Sequence, residues 1–146
     1  KQNARGMVVG LTRGTSREHF VRATLESLAY QTYDLVKAME SDSDTSINSL
    51  KVDGGACANN LLMQFQSNIL QTNVARPNVI ETTGLGAAYL AGLSVGYWKN
   101  KEDVLKNWAV DRTMEPSITQ EERKQRIKGW KKAVKYAFDW AREEEE

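Results

Sequence analysis

With 146 residues, the sequence is long enough to bury one hydrophobic core and too short for two. Twenty Lys and Arg against nineteen Asp and Glu leave a formal net charge of +1. With no basic arm and no aromatics interleaved along a strand, that balance argues against nucleic acid as a partner. A single cysteine, Cys57, cannot close an internal disulfide, and a single histidine cannot build a zinc cluster. The expectations are therefore a reducing, cytoplasmic compartment and no metal site.

The opening Lys-Gln-Asn-Ala-Arg carries neither an initiator Met nor an apolar leader, and reads as the start of a piece rather than of a natural chain. Residues 5–11 alternate glycine with Met7, Val8 and Val9 and are expected as a strand. Thr15-Ser16-Arg17-Glu18 has the form of a capping box, and Val21, Leu25, Leu28, Leu35 and Met39 predict a long helix over 16–40 with those residues on one face. Arg13 and Thr15 at its entrance can serve a phosphate or only the cap, and capping is the simpler reading. Lone His19 in the first turn has no nucleophile or carboxylate at a catalytic spacing, so it is taken as structural.

After a polar loop at 41–49, Leu50 and Val52 alternate with polar neighbours as a half-buried strand does. Leu61, Leu62, Phe65 and Ile69 then recur at helical spacing. Between them lies Asp53-Gly54-Gly55-Ala56-Cys57-Ala58-Asn59-Asn60. Without a Cβ, Gly54 and Gly55 allow positive φ and the close approach of a flat ligand. Asn59 and Asn60 stand where a side-chain amide can cap the helix or bond a heterocycle, beside an N-terminus that favours anions. The same pattern also suits an ordinary tight turn with an Asn cap.

Val74 between polar neighbours predicts a second short strand over 72–76, ending before Pro77. A helix over 81–97 follows, with Gly84, Ala88, Gly92 and Gly96 four residues apart. Each helical glycine costs about 1 kcal/mol relative to alanine, so this stripe predicts close packing against another helix or a hinge. The stretch 84–98 is apolar but shorter than the ~20 residues that span a bilayer, so no membrane partner is expected. Residues 101–108 suit a short helix. Thr119-Gln120-Glu121-Glu122 caps a last helix over 119–142, expected to bury Ile127, Trp130, Val134, Ala137, Phe138 and Ala141 and to leave Lys128, Lys131, Lys132 and Lys135 in solvent.

Several of these stretches occur together in a known order: Gly10-Leu11-Thr12-Arg13-Gly14-Thr15, Arg22-Ala23-Thr24-Leu25-Glu26-Ser27-Leu28, Val52-Asp53-Gly54-Gly55-Ala56, Glu81-Thr82-Thr83-Gly84-Leu85-Gly86-Ala87-Ala88 and Gly129-Trp130-Lys131-Lys132-Ala133. Over residues 4–140 the sequence resembles the FGGY carbohydrate kinase family, and within it the glycerol-phosphorylating branch. The resemblance implies an α/β fold: part of a ribonuclease-H-like domain of the actin and hexokinase superfamily, with short strands alternating with long helices and a C-terminal helix. Residues 1–146 would form the C-terminal portion of the second domain, with the adenosine motif at 50–60, a connecting helix at 81–97 and the C-terminal helix at 119–142.

Carried over motif by motif, the resemblance puts Gly55 and Asn59 at the adenine nucleotide with Gly54 as the turn glycine, and implies ATP and Mg²⁺ in the complete enzyme. That enzyme would transfer the γ-phosphoryl of ATP to glycerol, giving glycerol 3-phosphate. The family's general base, its glycerol-binding residues and its first-domain phosphate loop match no position here, so no catalytic residue is assigned and the chain alone is expected to be inactive. Expected partners are ATP or ADP, the upstream part of the kinase with its glycerol, and a second copy in a homo-oligomer. Enterobacterial members bind a sugar-transport regulatory protein through a segment that Pro116, Ile118, Glu122 and Arg123 match only in part, so a plain capping box is preferred there. Competing readings are another FGGY sugar kinase and a non-catalytic nucleotide-binding or interaction fragment.

Overall fold

The computed structural model describes residues 2–106 and 109–141. In chain order these form α1 (Arg17–Ser43), β1 (Ser49–Lys51), a 3₁₀ turn (Gly55–Ala58), α2 (Asn60–Leu70), β2 (Asn73–Pro77), α3 (Thr82–Ser94), α4 (Lys101–Leu105), β3 (Val110–Met114) and α5 (Gln120–Ala137). The strands form one sheet in the order β1-β2-β3, with β1 parallel and β3 antiparallel to β2. α2 is the crossover between the two parallel strands, as such a pair requires.

The core sits around α2, of which Leu62, Met63, Phe65, Gln66, Ser67, Asn68, Ile69 and Leu70 are all buried. Ala29 of α1, Val74 and Met114 of the sheet and Ile127 of α5 close over it. A helix buried on so many sides must satisfy its polar side chains internally. Gln66 Nε2 donates to the Ala29 carbonyl at 3.3 Å, and Ser67 Oγ donates to Met114 O at 3.0 Å. Asn68 Oδ1 accepts from the Ser117 amide at 2.8 Å. α5 is tied to α1 by Trp130, whose ring stacks on Tyr30 at 5.2 Å and whose Nε1 donates to Asp34 Oδ2 at 2.7 Å.

Several expectations are corrected. Residues 5–11 form no strand, and among the described residues no strand pairs with them. The α1 cap is Ser16, one residue later than the capping box suggested. His19 fills the third helical position and its Nδ1 accepts from the Ser16 amide at 3.1 Å, so the lone histidine is part of the cap. α1 buries Ala29 and Val36, whereas Val21, Leu28, Leu35 and Met39 of the anticipated face are 54%, 46%, 61% and 52% exposed. The helix has two apolar faces, and the one with Ala29, Tyr30, Tyr33 and Val36 is turned to the core.

β2 continues through Pro77, which stands at a bulge in the β2–β3 pairing, where a missing N–H is tolerated. Gly92 of the small-residue stripe is covered by the Trp98 ring folding back on it, not by another helix, and a Cβ there would collide with that ring. Gly96 lies past the end of α3, and Gly84 meets nothing. α4 ends at Leu105, leaving Trp108 of the anticipated helix outside the described residues. α5 stops at Ala137, so Phe138 and Ala141 lie beyond it and are exposed. The anticipated helix end at 142 lies outside the described residues.

Candidate functional site

The turn between β1 and α2 begins as the chain leaves the sheet. The Val52 amide still donates to Ala75 O at 3.1 Å, and the Gly54 amide then donates to Ile80 O at 2.8 Å. Gly54 has φ +78° and ψ 168°, a region essentially confined to glycine. That reversal starts the 3₁₀ turn, in which the Cys57 amide bonds Gly54 O and the Asn59 amide bonds Ala56 O. The Asp53 carboxylate accepts a hydrogen bond from the Thr82 hydroxyl, so the turn is fastened to the entrance of α3 at two adjacent residues.

Gly55 is exposed and has nothing within 4 Å of where a Cβ would stand, so its backbone faces open space. Four residues on, Asn59 is the N-cap of α2, its Oδ1 accepting from the Leu62 amide at 3.1 Å. Capping uses the oxygen and leaves the Nδ2 donor facing solvent. Gly54, Gly55 and Asn59 therefore lie on one short turn, with a bare backbone, an amide donor and a helix N-terminus presented together. A groove of about 320 Å³ runs along the other side of the turn, between Leu28 and Thr32 of α1 and Leu50 to Asp53, and is floored by Leu62 and Met63. Gly55 and Asn59 do not line it.

Two residues unmarked by sequence reasoning shape the turn from behind. Arg76 of β2 sends Nη1 to Cys57 O at 3.1 Å, Ala58 O at 3.3 Å and Asn60 Oδ1 at 2.9 Å. Its Nε and Nη2 both reach Asp111 Oδ2, at 2.8 and 2.6 Å. Asp111 belongs to β3, which was not anticipated because only Met114 of its five residues is buried and no alternation of apolar residues results. Cys57 is buried beneath the turn, and burial pushes its thiol pKa up, opposed by the nearby Arg76 charge. Among the described residues no three His, Cys, Asp or Glu side chains gather to hold a metal ion, and no helix is long and apolar enough to cross a membrane.

Residues 1–95 match the model of the FGGY family of carbohydrate kinases, C-terminal domain. Over 141 residues, 97% of the chain, the sequence is 60% identical to glycerol kinase 1 of Clostridium tetani. The chain spans 28% of the length of that relative. Among solved structures, a crystal structure of Plasmodium falciparum glycerol kinase with ADP superposes with a TM-score of 0.79 at 35% identity, covering 92% of this chain and 27% of that one. Gluconate kinase from Lactobacillus acidophilus shares the fold, with a TM-score of 0.67 at 20% identity over 87% of this chain and 25% of that one.

Proposed function

The chain belongs to the FGGY family of carbohydrate kinases, and from that premise we propose that it supplies the adenosine-binding wall of an ATP-dependent glycerol kinase. The observation that carries the proposal is the pairing of Gly55, bare and open on its outer face, with Asn59 four residues later at the head of α2. In this reading the adenine ring lies against the Gly55 backbone. Asn59 Nδ2 donates to the nucleotide while Oδ1 keeps the helix capped, and Gly54 provides the reversal that exposes both. A relative of known structure was crystallised with ADP, which is the ligand class this turn would take.

The complete enzyme would move the γ-phosphoryl of ATP to a glycerol hydroxyl, giving glycerol 3-phosphate. Such a transfer depends on in-line positioning and on charge stabilisation around the phosphoryl group. The turn described here offers contacts to the adenosine end only. Mg²⁺ would be held chiefly by the nucleotide's phosphates, since the described residues provide no cluster of ligands for it, and it would neutralise their charge there. The chain by itself is accordingly proposed to bind nucleotide without catalysing transfer. α3, fastened to the turn through Asp53 and Thr82, is proposed as the element that connects this wall to the rest of a kinase.

Calorimetric titration of the chain with ADP tests the reading. Binding by the wild type that is abolished in a folded Gly55→Trp variant is the expected result; open space at Gly55 makes that variant compatible with the fold. A folded wild-type chain that takes up no ADP would overturn the proposal.

A further inference from the structure

Arg76 ties three elements together at the turn: it rises from β2, caps the 3₁₀ turn and pairs with Asp111 of β3. We infer that Arg76, aimed by Asp111, is the positioning residue that sets the Gly55–Asn59 turn for nucleotide. The inference rests on the nucleotide reading of that turn.

The geometry begins with carbonyls that the local backbone leaves unbonded. A 3₁₀ turn that passes directly into an α-helix through an extended cap residue exposes its last carbonyl groups, and here these are Cys57 O and Ala58 O. A guanidinium is suited to them because it is always charged, planar and rich in donors, and a cation is favoured at the carbonyl end of a helical turn. Nη1 serves both carbonyls and also Asn60 Oδ1 in the first turn of α2. It thereby fixes the residues on either side of Asn59.

The guanidinium is itself oriented by the sheet. Arg76 pairs with Arg112 across the β2–β3 ladder and Pro77 pairs with Val110, so Asp111 is the extra residue of a bulge. A bulge re-aims side chains, and here Asp111 points its Oδ2 at both Nε and Nη2. With one edge of the fork held, the remaining nitrogen faces the turn. The Arg76 side chain is only 12% exposed, so solvent competes little for its donors. Arg76 itself has no place on the nucleotide face; it acts through the backbone of the turn.

The test uses Arg76→Lys, which keeps the charge and loses the fork, and Asp111→Ala, which keeps the arginine and frees its orientation. Amide hydrogen exchange and ADP titration are measured on both variants and on the wild-type chain. The expected result is exchange at Cys57 and Asn59 faster by about tenfold, with α1 and α5 unchanged, and ADP affinity weaker by about tenfold. Unchanged exchange at these two amides, or acceleration spread through α1 and α5, would overturn the inference even if the wild type binds ADP and the nucleotide reading stands. Local acceleration with unaltered ADP affinity would also overturn it, reducing Arg76 to a cap. Local acceleration in a folded chain whose wild type binds no ADP would overturn the nucleotide reading, and with it any role of Arg76 toward nucleotide.

Discussion

Gly54, Gly55 and Asn59 do three different things, and single substitutions can separate them. Gly54 is required by its dihedral angles: Gly54→Ala should destabilise the chain by about 1–3 kcal/mol in urea unfolding, the usual cost of an L side chain forced into that region. Gly55 has an ordinary φ and an open outer face, so Gly55→Ala should leave the unfolding midpoint nearly unchanged. Asn59 combines a cap with a free donor. Asn59→Asp keeps an oxygen for the Leu62 amide and removes Nδ2, so stability should hold while ADP affinity falls. Asn59→Ala should lose both, with about 1 kcal/mol of stability gone with the cap. Equal ADP affinity in the Asp variant and the wild type would remove Asn59 from the proposed site.

Among the elements, α2 explains why so short a sheet holds together. Its strands have three to five residues each, and the helix packed on them supplies more of the buried core than any other element, with Leu62, Met63, Phe65 and Ile69. α5 reaches this core through Ile127 and through the Trp130 contact with Tyr30 and Asp34. Tyr30 in turn meets Phe65 of α2 edge-on at 5.3 Å, so one ring joins three helices. Trp130→Ala should cost about 2 kcal/mol in chemical denaturation, less than a fully buried Trp because this one is only partly buried. The same loss should bring the pH at which Tyr30 ionises down toward the ordinary tyrosine value, since burial is the main cause of its elevated pKa. If α5 were held mainly by its Thr119 cap, Thr119→Ala would cost more than Trp130→Ala; the packing predicts the opposite order.

For the whole molecule, the edge strand of the sheet and an exposed apolar face of α1 lie side by side. Among the described residues β1 pairs only with β2 and so stands at the edge of the sheet, and the groove beside it is lined by Leu28 and Leu50 and floored by Leu62. The exposed Val21, Leu35 and Met39 extend that apolar surface along α1. An edge strand next to exposed apolar residues is a place where another chain can add. The proposed occupants are the remainder of a kinase chain or a second copy of this one. Light scattering across a wide concentration range should show a mass rising toward the dimer, and a charged substitution, Leu35→Glu, should shift the rise to higher concentration. A constant monomer mass would remove self-pairing from the proposal.

The sequence by itself determined the elements whose signals are local. A strand, a glycine turn and a capped helix around 50–60 follow from alternation, helical spacing and an Asn at the junction. The last helix follows from Thr119 and its apolar stripe, because such patterns depend on neighbours within one turn of chain. Only the tertiary structure decided which face of α1 is buried, since a helix apolar on two sides carries no mark of which one meets α2. It alone brought out β3, whose side chains are nearly all exposed and therefore leave no periodic trace. It also placed Arg76 behind the turn: a guanidinium 18 and 19 residues from the carbonyls it caps, and 35 from the carboxylate that aims it, becomes their neighbour only through sheet pairing.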